Sequence, residues 1–348
     1  MAKPARPARI LIIDDSAFVR KVVREILSGS PFLDVVGAAR DGEQALEMVA
    51  ALNPDVAICD LQMPVLDGVG FVREQMRRRP LPILILSAAA QDATEVIAAL
   101  DAGAVDIVQK PSALATDELR AVREELVAKL IAVAQVPVAN LAFASPHAVA
   151  TLPIAARPSR VDVVVVGIST GGPQALRRMI PMLPANFPVP IAVVLHMPVG
   201  YTALYAEKLN EICSLEVKEV RDGDELVAGC VLIAQAGRHL NFRRNAAGRV
   251  VAELTMAPME KIHRPSADVL FRSAAEIFRD RVLGVVMTGM GDDGKEGSAW
   301  IKAQGGTVLT EDEKSCVIYG MPRSVYEAGL SDAAITLDNM AEAITARI

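Results

Sequence analysis

The sequence predicts an α/β protein built from two doubly wound, mostly parallel sheets that are joined by a linker. Short runs of β-branched and other apolar residues, such as 161–166, alternate with amphipathic helical segments in both halves of the chain. At 348 residues, the chain is long enough for two domains of ordinary size. A stretch rich in alanine and proline separates the halves, and its prolines interrupt any continuous helix.

These signals predict a first domain over residues 8–125, an Ala/Pro-rich linker over 126–160 and a second domain over 161–348. In the first half the pattern predicts strands over 9–13, 33–38, 55–59, 82–86 and 105–109 and helices over 17–27, 43–52, 69–78 and 117–134. Ser16 can cap the first helix, and Phe18, Val22 and Ile26 are spaced to share its buried face.

The composition argues against several classes of protein, including nucleic-acid-binding, membrane-spanning and secreted proteins. The formal net charge is -6, which argues weakly against nucleic acid as a partner. No apolar run approaches the roughly 18 residues of a membrane-spanning helix, and the basic N-terminal segment lacks the apolar core of a secretory signal. The four cysteines are far apart and form no CxxC pair, which disfavours disulfides and zinc. We therefore expect a cytoplasmic protein without nucleic-acid binding or direct membrane insertion.

Five polar side chains of the first half share one position, directly after or at the end of predicted strands. They are Asp14, Asp15, Asp60, Ser87 and Lys110. The carboxyl ends of parallel strands meet at one edge of a sheet, so these side chains should lie together. Three adjacent carboxylates repel one another unless a cation joins them, and such oxygen ligands suit Mg²⁺. A helix cap or a surface acid would explain any one of the five alone, but not the set.

With Met63-Pro64, Asp67-Gly68 and Pro111, these residues make the first half similar to the receiver domain of bacterial response regulators, a flavodoxin-like fold. The resemblance implies that Asp60 takes a phosphoryl group from a chemotaxis histidine kinase and that Asp14 and Asp15 help to hold Mg²⁺. It also implies that Ser87 and Lys110 form the phosphate switch. Ile107 departs from the family, which often has an aromatic switch residue three positions before the lysine.

The second half contains a serine on a glycine-rich turn. The buried strand predicted over 161–166 leads into Gly167-Ile168-Ser169-Thr170-Gly171-Gly172, and Pro173 suits the first turn of the helix that follows. This turn could cradle a phosphate or a dinucleotide, or it could expose Ser169 as a nucleophile. The GxGxxG spacing and a P-loop lysine are both missing, while the nucleophile interpretation requires a histidine and an acid elsewhere.

Both partners occur at the ends of later predicted strands. His196 follows the strand 190–195, and Asp292-Asp293 follow the strand 282–287 in a glycine-rich loop. The remaining elements are predicted as helices over 174–183, 202–210, 267–279 and 295–304, a strand over 215–220, and short strands or hairpins over 221–256. Two further histidines are candidates: His239, which we interpret as structural, and His263, which precedes a helix start.

Several motifs together resemble the catalytic domain of chemotaxis protein-glutamate methylesterases, the CheB family, with a Rossmann-like sheet. They are the segments 167–172, 196–198, 263–266, 287–294, 315–317 and 320–323. The resemblance implies a triad of Ser169, His196 and Asp293, because the family has its acid immediately before the glycine at 294. It also implies support from Thr170, which helps to position the histidine, and from the Met290 loop at the oxyanion.

The function expected from this resemblance is phosphorylation-activated hydrolysis of glutamate methyl esters on methyl-accepting chemotaxis receptors, with deamidation of receptor glutamines as a side activity. The esterase should need no cofactor. Two alternatives remain open from the sequence. The second half could be a binding module without activity, or the chain could be a nucleotide-binding oxidoreductase, although the glycine spacing is wrong for the latter.

Overall fold

The computed structural model describes residues 6–87, 93–110, 116–137, 141 and 161–348. The chain divides into two compact units, Met1–Ala144 and Ser145–Ile348. Each unit contains its own parallel sheet. No helix in the described parts of the chain is both long enough and apolar enough to cross a membrane.

The first unit is a doubly wound sheet with strand order β2-β1-β3-β4-β5, and all its strand pairs are parallel. This is the flavodoxin-like order, so the fold prediction is confirmed for this half. Its elements are β1 (Ala8–Ile13), α1 (Ala17–Ser28), β2 (Leu33–Ala39), α2 (Gly42–Leu52), β3 (Val56–Asp60), α3 (Gly68–Arg78), β4 (Ile83–Ser87), α4 (Ala93–Asp101), β5 (Asp106–Gln109) and α5 (Thr116–Val133).

Helix α1 begins as expected and buries only part of the predicted face. The hydroxyl of Ser16 accepts a hydrogen bond from the N–H of Val19, as a helix cap does. The buried residues are Val23, Ile26 and Leu27, whereas Phe18 is 66 % exposed. The expectation that Phe18 shares a buried face with Ile26 was wrong, since the side chain of Phe18 is left exposed in the first turn of the helix.

Helix α5 includes the beginning of the segment predicted as a linker. Leu126, Leu130 and Val133 are fully buried. The ammonium of Lys129 lies 3.1 Å from a carboxylate oxygen of Asp106 and donates to the carbonyl of Ile107 at 2.8 Å, which ties the helix to β5. Residues 126–133 therefore pack as part of the first unit. The rest of the predicted linker, beyond residue 137, lies outside the described residues except for position 141.

The second unit contains a parallel sheet of seven strands in the order β14-β13-β12-β6-β7-β9-β8 and a separate antiparallel ribbon, β10-β11. Its elements are β6 (Val163–Ile168), α6 (Gly172–Met179), β7 (Ile191–Leu195), α7 (Thr202–Asn210), β8 (Glu216–Glu219), β9 (Cys230–Ile233), β10 (His239–Arg244), β11 (Val250–Thr255), α8 (Ala267–Phe278), β12 (Val282–Val286), α9 (Lys295–Ala303), β13 (Thr307–Glu311), α10 (Met321–Glu327), β14 (Ala333–Ile335) and α11 (Leu337–Thr345).

The chain reverses its direction of winding at β6, which pairs with β7 on one side and β12 on the other. All six residues of β6 are buried, as expected for a strand covered on both faces. Open α/β sheets form a crevice at such a reversal, outside the carboxyl ends of the strands. The loops after β6, β7 and β12 therefore meet at one place.

Candidate active site and phosphorylation site

The first unit brings the predicted acids together at the ends of β1 and β3. One carboxylate oxygen from each of Asp14, Asp15 and Asp60 lies within 4.8 Å of the others. The ammonium of Lys110 lies 3.0 Å from Asp14 and 2.8 Å from Asp60. Ser87 is buried at the end of β4, and its carbonyl accepts the backbone N–H of Lys110. All five side chains named from the sequence thus lie at this edge of the sheet.

The charges of this cluster are unbalanced. Burial raises the pKa of Asp60 above its usual value. The hydrogen bond and positive charge of Lys110 lower this pKa, whereas the negative charge of Asp14 raises it further. Burial opposes the charge of Lys110, but its hydrogen bonds to Asp60 and Asp14 keep its pKa raised. One ammonium faces three carboxylates, all with hard oxygen donors. The residues present therefore fit a divalent cation such as Mg²⁺.

In the second unit, the turn after β6 presents Ser169 between the neighbouring strands. The N–H of Ser169 donates to the carbonyl of Thr288 at 2.9 Å, which continues the pairing of β6 with β12. Gly171 has a φ of +78°, and a Cβ there would lie 2.6 Å from the side chain of Val317. Only glycine fits this turn without strain.

His196 occupies the next register position beyond the pair formed by Ile168 and Leu195, opposite Ser169. Its N–H donates to the carbonyl of Ile168 at 3.1 Å. The Nε2 atom lies 2.8 Å from an oxygen of Asp293. The Nδ1 atom is buried and has no hydrogen-bond partner among the described residues. An ionised carboxylate can only accept a hydrogen bond, so Nε2 of His196 carries the proton. In the neutral ring the lone pair is therefore on Nδ1.

Asp293 is buried and lies at the N-terminus of α8. Its carboxylate accepts hydrogen bonds from the hydroxyl of Ser266 at 2.7 Å and from the N–H groups of Ala267 at 2.7 Å and Asp268 at 3.0 Å. Burial raises its pKa, but the hydrogen bond and charge of His196 and the donors of this helix start outweigh burial and lower the pKa well below the usual value. The acid therefore remains ionised beside the imidazole.

The loop after β12 packs against the serine. A Cβ on Gly289 would lie 2.7 Å from the Cβ of Ser169, so the backbone of this loop touches the candidate nucleophile. Within the described part of the chain, the N–H of Met290 donates no backbone hydrogen bond. Thr170 is buried, and its carbonyl accepts the hydroxyl of Thr288 at 2.9 Å. Both predicted supporting residues therefore lie at the site, although their roles stay predictions.

Sequence reasoning left His263 as a candidate without a role, noted Ser266 only at a helix start, and missed Asp268 and Glu311. The imidazole of His263 stacks on that of His196, with ring centroids 4.2 Å apart and an angle of 17° between the planes. Glu311, at the end of β13, is fully buried and accepts the N–H of Thr288 at 2.9 Å. Ser266 and Asp268 lie at the start of a helix, where free backbone N–H groups and capping side chains bind carboxylates. This position could have indicated from the sequence that they contact an acid.

His239 is fully buried, and its Nε2 atom lies 3.1 Å from the carbonyl of Pro258. Burial lowers the pKa of this imidazole, and the hydrogen bond to Pro258 only partly opposes the effect. Its position agrees with the structural role expected from the sequence.

The fold and the site define the class of protein: a receiver domain in one chain with a second parallel α/β domain that presents serine, histidine and aspartate on neighbouring loops. The model of the CheB methylesterase family matches residues 164–344, and that of the response regulator receiver domain matches residues 10–123. The chain belongs to the CheB methylesterase family.

Individual relatives agree with this assignment. The chain is 48 % identical over 336 residues to protein-glutamate methylesterase/protein-glutamine glutaminase 5 of Myxococcus xanthus, covering 96 % of each chain. It is 42 % identical to the protein-glutamate methylesterase/protein-glutamine glutaminase of Symbiobacterium thermophilum, covering 98 % of this chain and 97 % of the relative. The crystal structure of the Thermotoga maritima CheB methylesterase catalytic domain matches with a TM-score of 0.53 and 40 % identity, covering 54 % of this chain and 99 % of that one.

The family predicted from the sequence is thereby confirmed, as is the hydrolase class. Neither a binding module without activity nor a nucleotide-dependent oxidoreductase agrees with this assignment.

Proposed function

We propose that this protein hydrolyses glutamate methyl esters on the cytoplasmic helices of methyl-accepting chemotaxis receptors and deamidates receptor glutamines, under the control of phosphorylation. The observation that carries the proposal is the position of His196. One ring nitrogen bonds Asp293 at 2.8 Å, and the other is buried and has no hydrogen-bond partner among the described residues. His196 follows β7 in the register position next to Ser169. A histidine oriented by an acid and keeping a free lone pair beside a serine supports the role of a general base.

In the proposed reaction, the oxygen of Ser169 attacks the ester carbonyl while Nδ1 of His196 takes its proton. The tetrahedral intermediate collapses, His196 returns the proton to the methoxide, and methanol leaves. Water then attacks the glutamyl ester on Ser169 by the same route and releases glutamate. With a glutamine side chain the leaving group is ammonia. Asp293 keeps His196 in the required tautomer and stabilises its charged form.

The negative charge that develops on the carbonyl oxygen needs donors that are already in place. The N–H of Met290 is suited to this role, because its loop touches Ser169 through Gly289 and this N–H is not used in backbone pairing elsewhere in the described structure. The start of α6, directly after the serine, adds the positive end of a helix dipole.

The receiver unit is proposed to regulate this activity. Asp60 would accept a phosphoryl group from a chemotaxis histidine kinase. Asp14, Asp15 and Asp60 would hold Mg²⁺, which neutralises phosphoryl oxygens when it is bound. The ammonium of Lys110, which lies 2.8 Å from Asp60, and the hydroxyl of Ser87, at the end of the adjacent strand β4, are proposed to contact the new anion. Phosphorylation would add roughly 1.5 to 2 negative charges at this edge of the sheet.

The test is methanol release from methylated receptor membranes, with and without a small phosphoryl donor. Wild-type protein should release methanol, and faster with the donor. Ser169→Ala should lose several orders of magnitude in rate, since residues of a triad act as a unit. Near-native methanol release by Ser169→Ala would disprove the assignment of the nucleophile. A fluorophosphonate should label Ser169 in wild type.

A further inference from the structure

Exposed apolar side chains of the second unit are concentrated beside the candidate active site. Residues 161–348 include eight large apolar side chains that are exposed. Four of them form what we call the apolar rim: Val199, Met256, Met259 and Ile262. Ile262 is 93 % exposed and Met259 is 64 % exposed. Three of the four lie within one loop segment, 256–262. Exposed apolar groups that are concentrated in one part of a folded domain mark surfaces that another molecule covers.

The rim adjoins the catalytic histidine. Ile262 directly precedes His263, whose ring stacks on His196 at 4.2 Å. Val199 follows His196 by three residues and contacts the neighbouring loop, since a Cβ on Gly237 would lie 3.0 Å from the Val199 side chain. The loops that carry the rim therefore border the position where the substrate carbonyl must bind.

The loop that carries three rim residues is well anchored, so the exposure of its side chains does not result from a loose chain. The carbonyl of Pro258 bonds His239 at 3.1 Å, and the carbonyl of Arg264 accepts the N–H of Gly237 at 2.9 Å. Lys261 donates to a carboxylate oxygen of Asp268 at 2.9 Å. These contacts fix the backbone while the side chain of Ile262 extends into solvent. The side chain of Met259 is exposed except where its sulfur accepts a hydrogen bond from Arg264 at 3.7 Å.

The position of the site in the sheet limits how a protein substrate can bind. Ser169 follows β6, which has paired strands on both sides, and the edges of the sheet are β14 and β8. An extended peptide therefore cannot reach Ser169 by adding a strand to this sheet. A helical segment could instead point its reactive side chain toward Ser169. The residues three and four positions before and after that side chain would then face the loops around the site.

We infer that the apolar rim binds the apolar side chains that lie one helical turn from the methylated glutamate of the receptor. This inference rests on the proposed function and names the surface that selects its substrate. Two methionines in the rim suit this task, because their unbranched, polarizable side chains adapt to different neighbours around different methylation positions.

The experiment compares two substrates in the full-length protein: methylated receptor membranes and the small ester 4-nitrophenyl acetate. Ile262→Ser and Met259→Ser should each lower kcat/KM for the receptor about tenfold more than kcat/KM for the small ester, mainly through KM. A tenfold effect corresponds to about 1.4 kcal/mol of lost contact. The fluorophosphonate labelling rate of Ser169 reports whether each variant keeps a folded site.

Val227→Ser is the matched control. Val227 is exposed and precedes β9, at the opposite end of the sheet from the site. Val227→Ser should leave the ratio of kcat/KM for the receptor to kcat/KM for 4-nitrophenyl acetate unchanged.

Equal losses on both substrates, or none on either, would overturn the inference. So would faster receptor demethylation by Ile262→Ser without a phosphoryl donor, since the rim would then be covered by the receiver of the same chain. If wild type labels with fluorophosphonate but releases no methanol from receptors, the proposed function itself fails. If wild type does both and the rim variants match Val227→Ser, only the rim inference fails.

Discussion

Asp293 and Asp268 cap each other's helices. The carboxylate of Asp293 accepts the N–H groups of Ala267 and Asp268 at the start of α8. The carboxylate of Asp268 accepts the N–H groups of Gly294 at 2.9 Å and Gly297 at 2.8 Å at the start of α9. The orientation of the candidate catalytic acid thus depends on a second acid that does not touch the histidine.

The choice of Asp293 over its neighbour can be tested directly. Asp293→Asn should lower kcat on methylated receptor by about 10³- to 10⁴-fold, because an amide no longer fixes the tautomer of His196 or stabilises its charge. Asp292→Asn is the control, since Asp292 is exposed and only its backbone carbonyl is bonded. Comparable losses in both variants would refute the assignment.

The mutual capping by Asp293 and Asp268 predicts that loss of Asp268 lowers activity less than loss of Asp293. Asp268→Ala should lower kcat about tenfold, because the N–H groups of Gly294 and Gly297 lose their acceptor beside Asp293. It should also raise KM, because Lys261 on the loop of the apolar rim loses one of its partners. The measurement is steady-state demethylation. An increase in KM with unchanged kcat would instead indicate that Asp268 supports substrate binding.

The contact between Gly289 and Ser169 predicts a steric effect on catalysis. Gly289→Ala would place a Cβ against the sulfur of Met321 and 2.7 Å from the Cβ of Ser169, so the serine must move. We expect kcat/KM to fall about 100-fold, since a displacement near 1 Å has effects of this size. Gly284→Ala is the control, because its Cβ would meet only the flexible end of Ile301 among its close neighbours, at 2.8 Å. If both variants lose activity equally, general packing is responsible.

Glu311 predicts a pH dependence of stability. Burial raises its pKa to about 7, against the hydrogen bonds from Thr288 and Ser315. The folded protein therefore holds this proton more tightly than the unfolded chain. The stability contributed by Glu311 is present below about pH 4.5 and is lost as the pH rises through about 7. The shift corresponds to about 3 kcal/mol.

In Glu311→Gln this dependence should disappear, so the variant should gain stability relative to wild type between pH 5 and pH 8. Urea denaturation followed by fluorescence measures it, because the only tryptophan, Trp300, lies on α9 of the second unit. Glu313→Gln, at an exposed position, is the control. A constant stability difference between Glu311→Gln and wild type across this pH range would contradict the prediction.

Regulation by the receiver predicts that Asp60→Asn abolishes stimulation by a small phosphoryl donor while leaving unstimulated methanol release intact. Asp34→Asn, exposed on β2, should respond like wild type. A change in docking free energy of about 1 to 3 kcal/mol would be enough for a marked response. Stimulation of Asp60→Asn equal to that of wild type would refute this role.

The fold class was accessible from the sequence because both sheets consist of short apolar strands that are buried on both faces. Less could be predicted where a segment lacks such a run. The elements after residue 304 were not assigned in advance, although β13, α10, β14 and α11 complete the sheet there. The insertion of β9 between β7 and β8 was also not predicted, since strand order depends on long-range pairing.

The sequence by itself determined the chemistry at the strand ends. Ser169, His196 and the pair Asp292-Asp293 could be named because buried strands are followed by polar residues and glycines, and the resemblance to the family selected Asp293 from the pair. Only the tertiary structure decided how these groups meet. Strands β12 and β7 lie on opposite sides of β6, and this order brings Asp293 into hydrogen-bonding contact with His196. His263 stacks on the ring of His196, and Ile262 lies exposed next to His263. The physical reason is that local patterns fix which residues end a strand, whereas the contacts between those ends depend on strand order and helix packing over distances in sequence of about 100 residues.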